Sequence, residues 1–231
     1  MDLLVVFAVL AALALGALLG LLLSSRRAAR ENPEISALGG RLAQMAESQS
    51  AVQSAIVERL QTQERVVIKA VDEAFPSGDP VWTTEVDLVG NSMGGLVARY
   101  ATDPTTGDRA VRAAALYGIG TPFLGADIAE VFVLNDMVRD MQPGSSFLAN
   151  LNDPTRQYGY VLVPYTRSDD TYVGAANTAP PGEVPWWVPA EPFQSGHLTS
   201  YGDHRIMADI ARRLRGEPPY TTEPRAPLPS K

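Results

Sequence analysis

Ser92 sits inside Val89-Gly90-Asn91-Ser92-Met93-Gly94-Gly95-Leu96, a G-x-S-x-G turn. A strand-like run precedes it (Val86, Leu88, Val89) and a helix-like run follows (Leu96, Val97, Ala98, Tyr100). A serine on a tight strand-to-helix turn is held strained and exposed, where a base can take its proton. Its neighbours must lack bulk. Gly90 and Gly94 supply the space, and Gly95 lets the helix start close to the strand. The chemistry this predicts is covalent, with the Ser92 hydroxyl as nucleophile.

Such a serine needs a base, and the base needs an acid to fix its tautomer and stabilise its charged form. The chain has only two histidines, so the choice of base is narrow. His197 lies in Ser195-Gly196-His197-Leu198, a loop before the final amphipathic run, and is the expected base. His204 is the alternative, at a helix start where it would cap or face solvent. The expected acid is Asp170, in Arg167-Ser168-Asp169-Asp170-Thr171-Tyr172-Val173, just past a strand-like stretch. Asp169 is the alternative, and the other of the pair would cap a turn. The backbone N–H of Met93, the residue after the nucleophile, is the expected oxyanion donor. With no cysteine, disulfides, thiolate metal sites and cysteine nucleophiles are excluded. Neither a metal nor a cofactor is expected. A formal net charge of -7 without a basic patch argues against nucleic-acid binding through phosphates.

The elements that must position these groups read as an α/β fold with a mostly parallel sheet and flanking helices. Expected strands are Glu85–Val89, Val111–Tyr117 and Tyr158–Val163. Expected helices are Met93–Thr102, Ile128–Met141 and His204–Leu214. In the last, Ile206, Met207, Ile210 and Leu214 share one face, with the arginines mostly away from it.

Upstream, Leu3 to Leu23 carries neither charge nor proline and is long enough to span a bilayer as a helix. A retained single-pass anchor is expected, with a cleaved signal peptide and a secreted product as the alternative. Gly16 and Gly20 are spaced as a helix-dimer face, although Ala/Leu/Gly-rich spans produce that pair readily. Arg26, Arg27 and Arg30 place the C-terminal side in the cytoplasm. Asn32-Pro33-Glu34 then opens a long amphipathic helix with apolar residues at Ile35, Leu38, Leu42, Met45, Val52 and Ile56, continued by Leu60 and Val66. The three-four spacing fits a coiled coil, hence a homo-oligomer through residues 33–70, and fits equally a single helix packed on the domain. The expected organisation is an anchor over 1–25, an amphipathic helix over 26–74, a catalytic domain over 75–215 and an unstructured proline-rich tail over 216–231.

The run Val86-Asp87-Leu88-Val89-Gly90-Asn91-Ser92-Met93-Gly94-Gly95-Leu96-Val97-Ala98-Arg99-Tyr100, followed by Gly120-Thr121-Pro122-Phe123-Leu124-Gly125-Ala126, Asp170-Thr171-Tyr172-Val173 and Gly196-His197-Leu198, resembles the α/β-hydrolase superfamily. The likeness covers about residues 70–215 and is to the lipase/esterase branch, related to bacterial triacylglycerol lipases. It implies Ser92 as nucleophile, Asp170 as acid, His197 as base, and an acyl ester or lipid as substrate. Many relatives carry histidine at the positions of Asn91 and Phe123, neither of them a triad position. Phe123, Trp186 and Trp187 are candidate substrate contacts. The two tryptophans, just before His197, would line an acyl pocket or meet a bilayer, or would anchor a proline-rich loop by packing. Relatives also place several strands and an oxyanion loop before the serine strand. No counterpart precedes Glu85, so the fold reads as partial, with an exposed apolar edge at the serine strand. Residues 1 to about 72, with Arg41-Leu42-Ala43-Gln44 and Glu58-Arg59-Leu60-Gln61, resemble instead the start of the RmuC-type DNA-recombination family. No nuclease-like domain follows, and that family's function is not carried over.

Overall fold

A computed structural model describes residues 62–127, 142–156, 158–221 and 226–229, together with Gly40 and Gln44. The chain divides into two compact units, Met1–Ser54 and Ala55–Lys231. In the first, Gly40 and Gln44 are helical and exposed. The expected membrane span at Leu3–Leu23, the amphipathic stretch up to residue 61 and the expected helix Ile128–Met141 lie outside the described residues. Among the described residues, no helix is long and apolar enough to cross a membrane.

The second unit is α/β. Helix α1 spans residues 62–74. Then come β1 (Val86–Asn91), α2 (Met93–Ala101), β2 (Ala113–Ile119), α3 (Ser146–Leu151), β3 (Val161–Arg167), β4 (Trp186–Val188), α4 (Gly196–Thr199) and α5 (His204–Leu214). The four strands form one parallel sheet in the order β1-β2-β3-β4. Register runs straight across it: Asn91 pairs Ile119, Ile119 pairs Tyr165, and Tyr165 pairs Trp186. Sheet order equals chain order, and β1 is an edge strand among the described residues. Its Val89 is 50% exposed.

Side chains alternate across a strand, so each face of the sheet builds its own core. Ala115, Tyr117, Ile119, Val163, Tyr165 and Trp186 point to one face, where Ile206 and Ile210 of α5 cover them. Both isoleucines are at most 2% exposed, and burying each stabilises by about 1.5–3 kcal/mol. Leu162 points to the other face, where Leu96 of α2, Phe123, and Leu148 and Leu151 of α3 assemble. The result is a three-layer α/β/α arrangement.

Each of the first three strands ends two to four residues later than its sequence reading, at Asn91, Ile119 and Arg167. The extra residues include Gly90, Gly118 and Pro164, weak strand formers that cross-strand pairing holds in register. In α1 the inner face carries buried Glu64 and half-buried Val67, Ile68 and Val71. Val66, expected on that stripe, is 64% exposed. The tail also departs from expectation. Residues 217–221 are held by α5 through Asp209, which is 2% exposed. Its carboxylate accepts from the backbone N–H of Tyr220 and Thr221, from the hydroxyls of Thr221 and Tyr165, and from Arg213. A buried carboxylate with so many donors anchors a segment that proline content alone would leave loose.

Candidate active site

Ser92 lies between β1 and α2 with φ 51° and ψ -129°, a conformation that costs a non-glycine residue of order 1–3 kcal/mol. It is held from both sides. Its N–H donates to Ile119 O at 2.8 Å, and its carbonyl accepts from Gly95 N at 3.1 Å. Gly90 and Gly95 make the approach possible: a Cβ on Gly90 would lie 2.5 Å from Gly95 Cα, and one on Gly95 would overlap the Thr121 hydroxyl. Gly94 is expected to supply space too, but a Cβ there would have nothing within 4 Å, so its lack of a side chain is not what relieves the turn. Met93 is the first residue of α2, so its N–H has no acceptor one turn back and is free to meet negative charge beside Ser92.

The structure brings Ser92, His197 and Asp170 into one hydrogen-bonded chain. Ser92 Oγ lies 3.0 Å from His197 Nε2, and His197 Nδ1 lies 2.9 Å from Asp170 Oδ2. Asp170 is 2% exposed, and its second oxygen, Oδ1, accepts from the N–H groups of Tyr172 and Val173 at 3.1 and 3.0 Å. Those two donors fix the carboxylate and leave Oδ2 for the imidazole. With Nδ1 donating to the acid, Nε2 is the nitrogen left to accept from serine. The His197 side chain is only 12% exposed. All three residues stand beyond the carboxyl ends of parallel strands, at one end of the sheet.

Asp169 and His204, the alternatives, stand elsewhere. Asp169 pairs with Arg167 through two bonds at 3.1 and 3.2 Å. Arg167, 1% exposed, also donates to Gln194 Oε1 and Thr199 Oγ1, bracing the chain on both sides of His197. Gly196 packs so tightly on this loop that a Cβ there would come 2.6 Å from Asp169 O. His204 opens α5, where the cap is Asp203, whose side chain accepts from Arg205 N. Burial alone would raise the Asp203 carboxyl, but bonds from the Arg205 side chain and backbone hold it below its ordinary value.

Of the three candidate substrate contacts, Phe123 and Trp186 are buried in the two cores. Phe123 is 0% exposed and packs with Leu96, Leu148 and Leu151 under β2, where Gly118 leaves room for its ring. A side chain with no free surface cannot touch a substrate. Trp186 belongs to the opposite core, against Ile206 and Ile210. It is in register with Asn91 across three strand spacings, or about 14 Å. Trp187 donates its indole N–H to Ala226 O at 3.1 Å, and both tryptophans line a cavity of about 410 Å³ between β4, α5 and the tail. Trp186 thus packs in a core, and Trp187 is tied to the tail.

Sequence reading passes over several residues that shape the site. Gly120, at φ +56°, lies where a Cβ would meet His197 Nδ1, Asp170 Oδ2 and Ser200 Oγ at 3.3–3.4 Å. Ser200 is fully buried and donates to His197 O at 2.9 Å, fixing the backbone that carries the imidazole. Tyr172 stacks on His197, with ring centroids 5.6 Å apart and planes 14° apart. The glycine could be flagged from Gly120-Thr121-Pro122 as a turn, but the stack has no periodic signature. Among the described residues, no group of three or more His, Cys, Asp or Glu side chains could hold a metal ion. No family model matches the chain, and no curated protein matches it.

Proposed function

We propose that this protein is a serine ester hydrolase of the lipase/esterase type, built on a partial α/β-hydrolase fold. The observation that carries the reading is the unbroken hydrogen-bonded chain from Ser92 Oγ through His197 to a buried Asp170. In the mechanism that follows, Ser92 Oγ attacks the carbonyl carbon of an acyl ester while His197 Nε2 accepts the hydroxyl proton. The carbonyl oxygen takes up the negative charge and meets the Met93 N–H. Asp170 stabilises the imidazolium. Collapse breaks the ester C–O bond, and the proton on Nε2 leaves with the alcohol. Water then gives a proton to Nε2 and attacks the acyl carbon; the C–Oγ bond breaks, the proton on Nε2 returns to Ser92 Oγ, and the carboxylic acid leaves. No cofactor enters this scheme.

The setting of the enzyme rests on sequence. The uncharged run at residues 3–23 and the arginines after it support a single membrane anchor with the catalytic unit in the cytoplasm. Spacing over residues 33–70 supports self-association. A catalytically silent hydrolase remnant on a membrane-anchored coil is the second reading. It is favoured by the edge position of β1 among the described residues, the side on which the hydrolases that the sequence resembles supply a further oxyanion donor. One missing donor costs about 10²–10³ in turnover.

The deciding experiment is labelling of the detergent-solubilised full chain with a fluorophosphonate probe, beside Ser92→Ala. Covalent labelling that is lost in Ser92→Ala is expected. A folded protein that takes no label would favour the silent remnant.

A further inference from the structure

We infer that Tyr172 is a positioning residue for the base, clamping the imidazole plane of His197; this rests on the hydrolase reading. His197 turns only about its two side-chain torsions, and its hydrogen bonds to Ser92 and to Asp170 restrain both, although a hydrogen bond tolerates some misalignment. A parallel ring narrows that remaining spread, and Tyr172 lies nearly parallel to the imidazole, 14° off, with centroids 5.6 Å apart. The same residue donates its backbone N–H to Asp170 Oδ1 at 3.1 Å. One residue therefore ties down the acid by its main chain and the base by its side chain.

The stack has a second consequence. In the first step His197 becomes an imidazolium, and a parallel aromatic face stabilises a cation beside it more than a neutral ring. Tyr172 therefore favours the charged transition state over the resting state, which is a contribution to turnover rather than to binding. The phenol hydroxyl is not needed for either effect. Tyr172 is 36% exposed and belongs to neither core cluster, so its ring can be removed without opening the core.

The test compares wild type, Tyr172→Phe and Tyr172→Leu in the full solubilised chain, with two readouts. The first is the ¹H spectrum of the imidazoles, tractable because the chain has only two, told apart with His204→Gln. The ring current of Tyr172 shifts the His197 C–H protons. That shift should persist in Tyr172→Phe and vanish in Tyr172→Leu. The second is the rate of fluorophosphonate labelling and, on a soluble ester, kcat and KM separately. We expect Tyr172→Leu to fall about three- to tenfold in labelling rate and kcat with KM little changed, and Tyr172→Phe to stay within about twofold of wild type. His197 C–H shifts that do not change between wild type and Tyr172→Leu overturn the stack itself. A shift that is present, with Tyr172→Leu labelling at the wild-type rate, overturns the positioning role and leaves the hydrolase reading standing. Wild type that shows the shift but takes no label overturns the hydrolase reading, and the role falls with it.

Discussion

Gly120→Ala separates backbone strain from damage to the site. The substitution acts in two ways. At φ +56° an alanine pays the left-handed penalty, roughly 1–2 kcal/mol. Its methyl group would also sit 3.3 Å from His197 Nδ1 and 3.4 Å from Asp170 Oδ2. The Nδ1 contact is tight enough that the imidazole must give by a few tenths of an ångström. A misplacement of about 1 Å costs on the order of 10²-fold in rate, so this displacement should cost about four- to tenfold. The backbone penalty should lower Tm by about 2–8 °C in a unit of this size. Gly182→Ala is the control: φ is +81°, with nothing within 4 Å of a Cβ. It should lose similar stability and none of the labelling rate. The assay is pseudo-first-order fluorophosphonate labelling at a temperature well below every Tm, beside thermal melts. Equal labelling rates for Gly120→Ala and Gly182→Ala would refute the claim that Gly120 is small for the sake of the His197–Asp170 bond.

Two further outcomes are expected. Asp170→Asn should slow labelling by about 10³–10⁴, because the wrong imidazole tautomer is then favoured. Asp169→Asn, which only loosens Arg167, should cost no more than about tenfold; comparable losses in the two variants would reverse the assignment. Asp209 gives a pH dependence of stability. Burial alone would raise its carboxyl, but bonds from Tyr165, Arg213 and Thr221 win and hold it below the ordinary 3.8. A depressed folded value means its contribution is fully present above pH 3.8 and is lost as pH falls below that. Melts of wild type and Asp209→Asn should therefore differ most above about pH 4 and converge as pH falls through the lowered folded value; a constant gap would show that the carboxylate charge is not what anchors the tail.

Much of the site is legible in the sequence because its groups are rare or carry strong local constraints. Two histidines leave little choice for a base beside Ser92, and the tight turn in which Ser92 sits needs the bare Gly90 and Gly95. Helix α5 occupies its expected bounds, His204–Leu214, because one apolar face and an aspartate cap agree. Strand ends are harder to read because Gly90, Gly118 and Pro164 are held by neighbours, not by their own preferences. β4 escapes notice because it has three residues between Pro185 and Pro189. Phe123 and Trp186 look available because apolar residues near a site can line it or support it, and only burial distinguishes the two. The tail carries one overlooked sign: Asp209 sits one turn beyond Ile206 on the inner face of α5, where a carboxylate needs donors.

The one-directional sheet has a consequence for synthesis. Strands are added outward from β1 in the order in which they leave the ribosome, so each new strand finds its neighbour already present. The serine is thus laid down first and its base last: the Ser92–His197 bond joins residues 105 positions apart. Closing it requires β2, β3 and the loop after β4 to be in place. On the proposed reading, serine reactivity is then acquired late in folding, and a nascent chain arrested before residue 197 carries Ser92 without the histidine it needs. Probe labelling of arrested chains of increasing length would time completion of the domain more sharply than any measure of helix or sheet content.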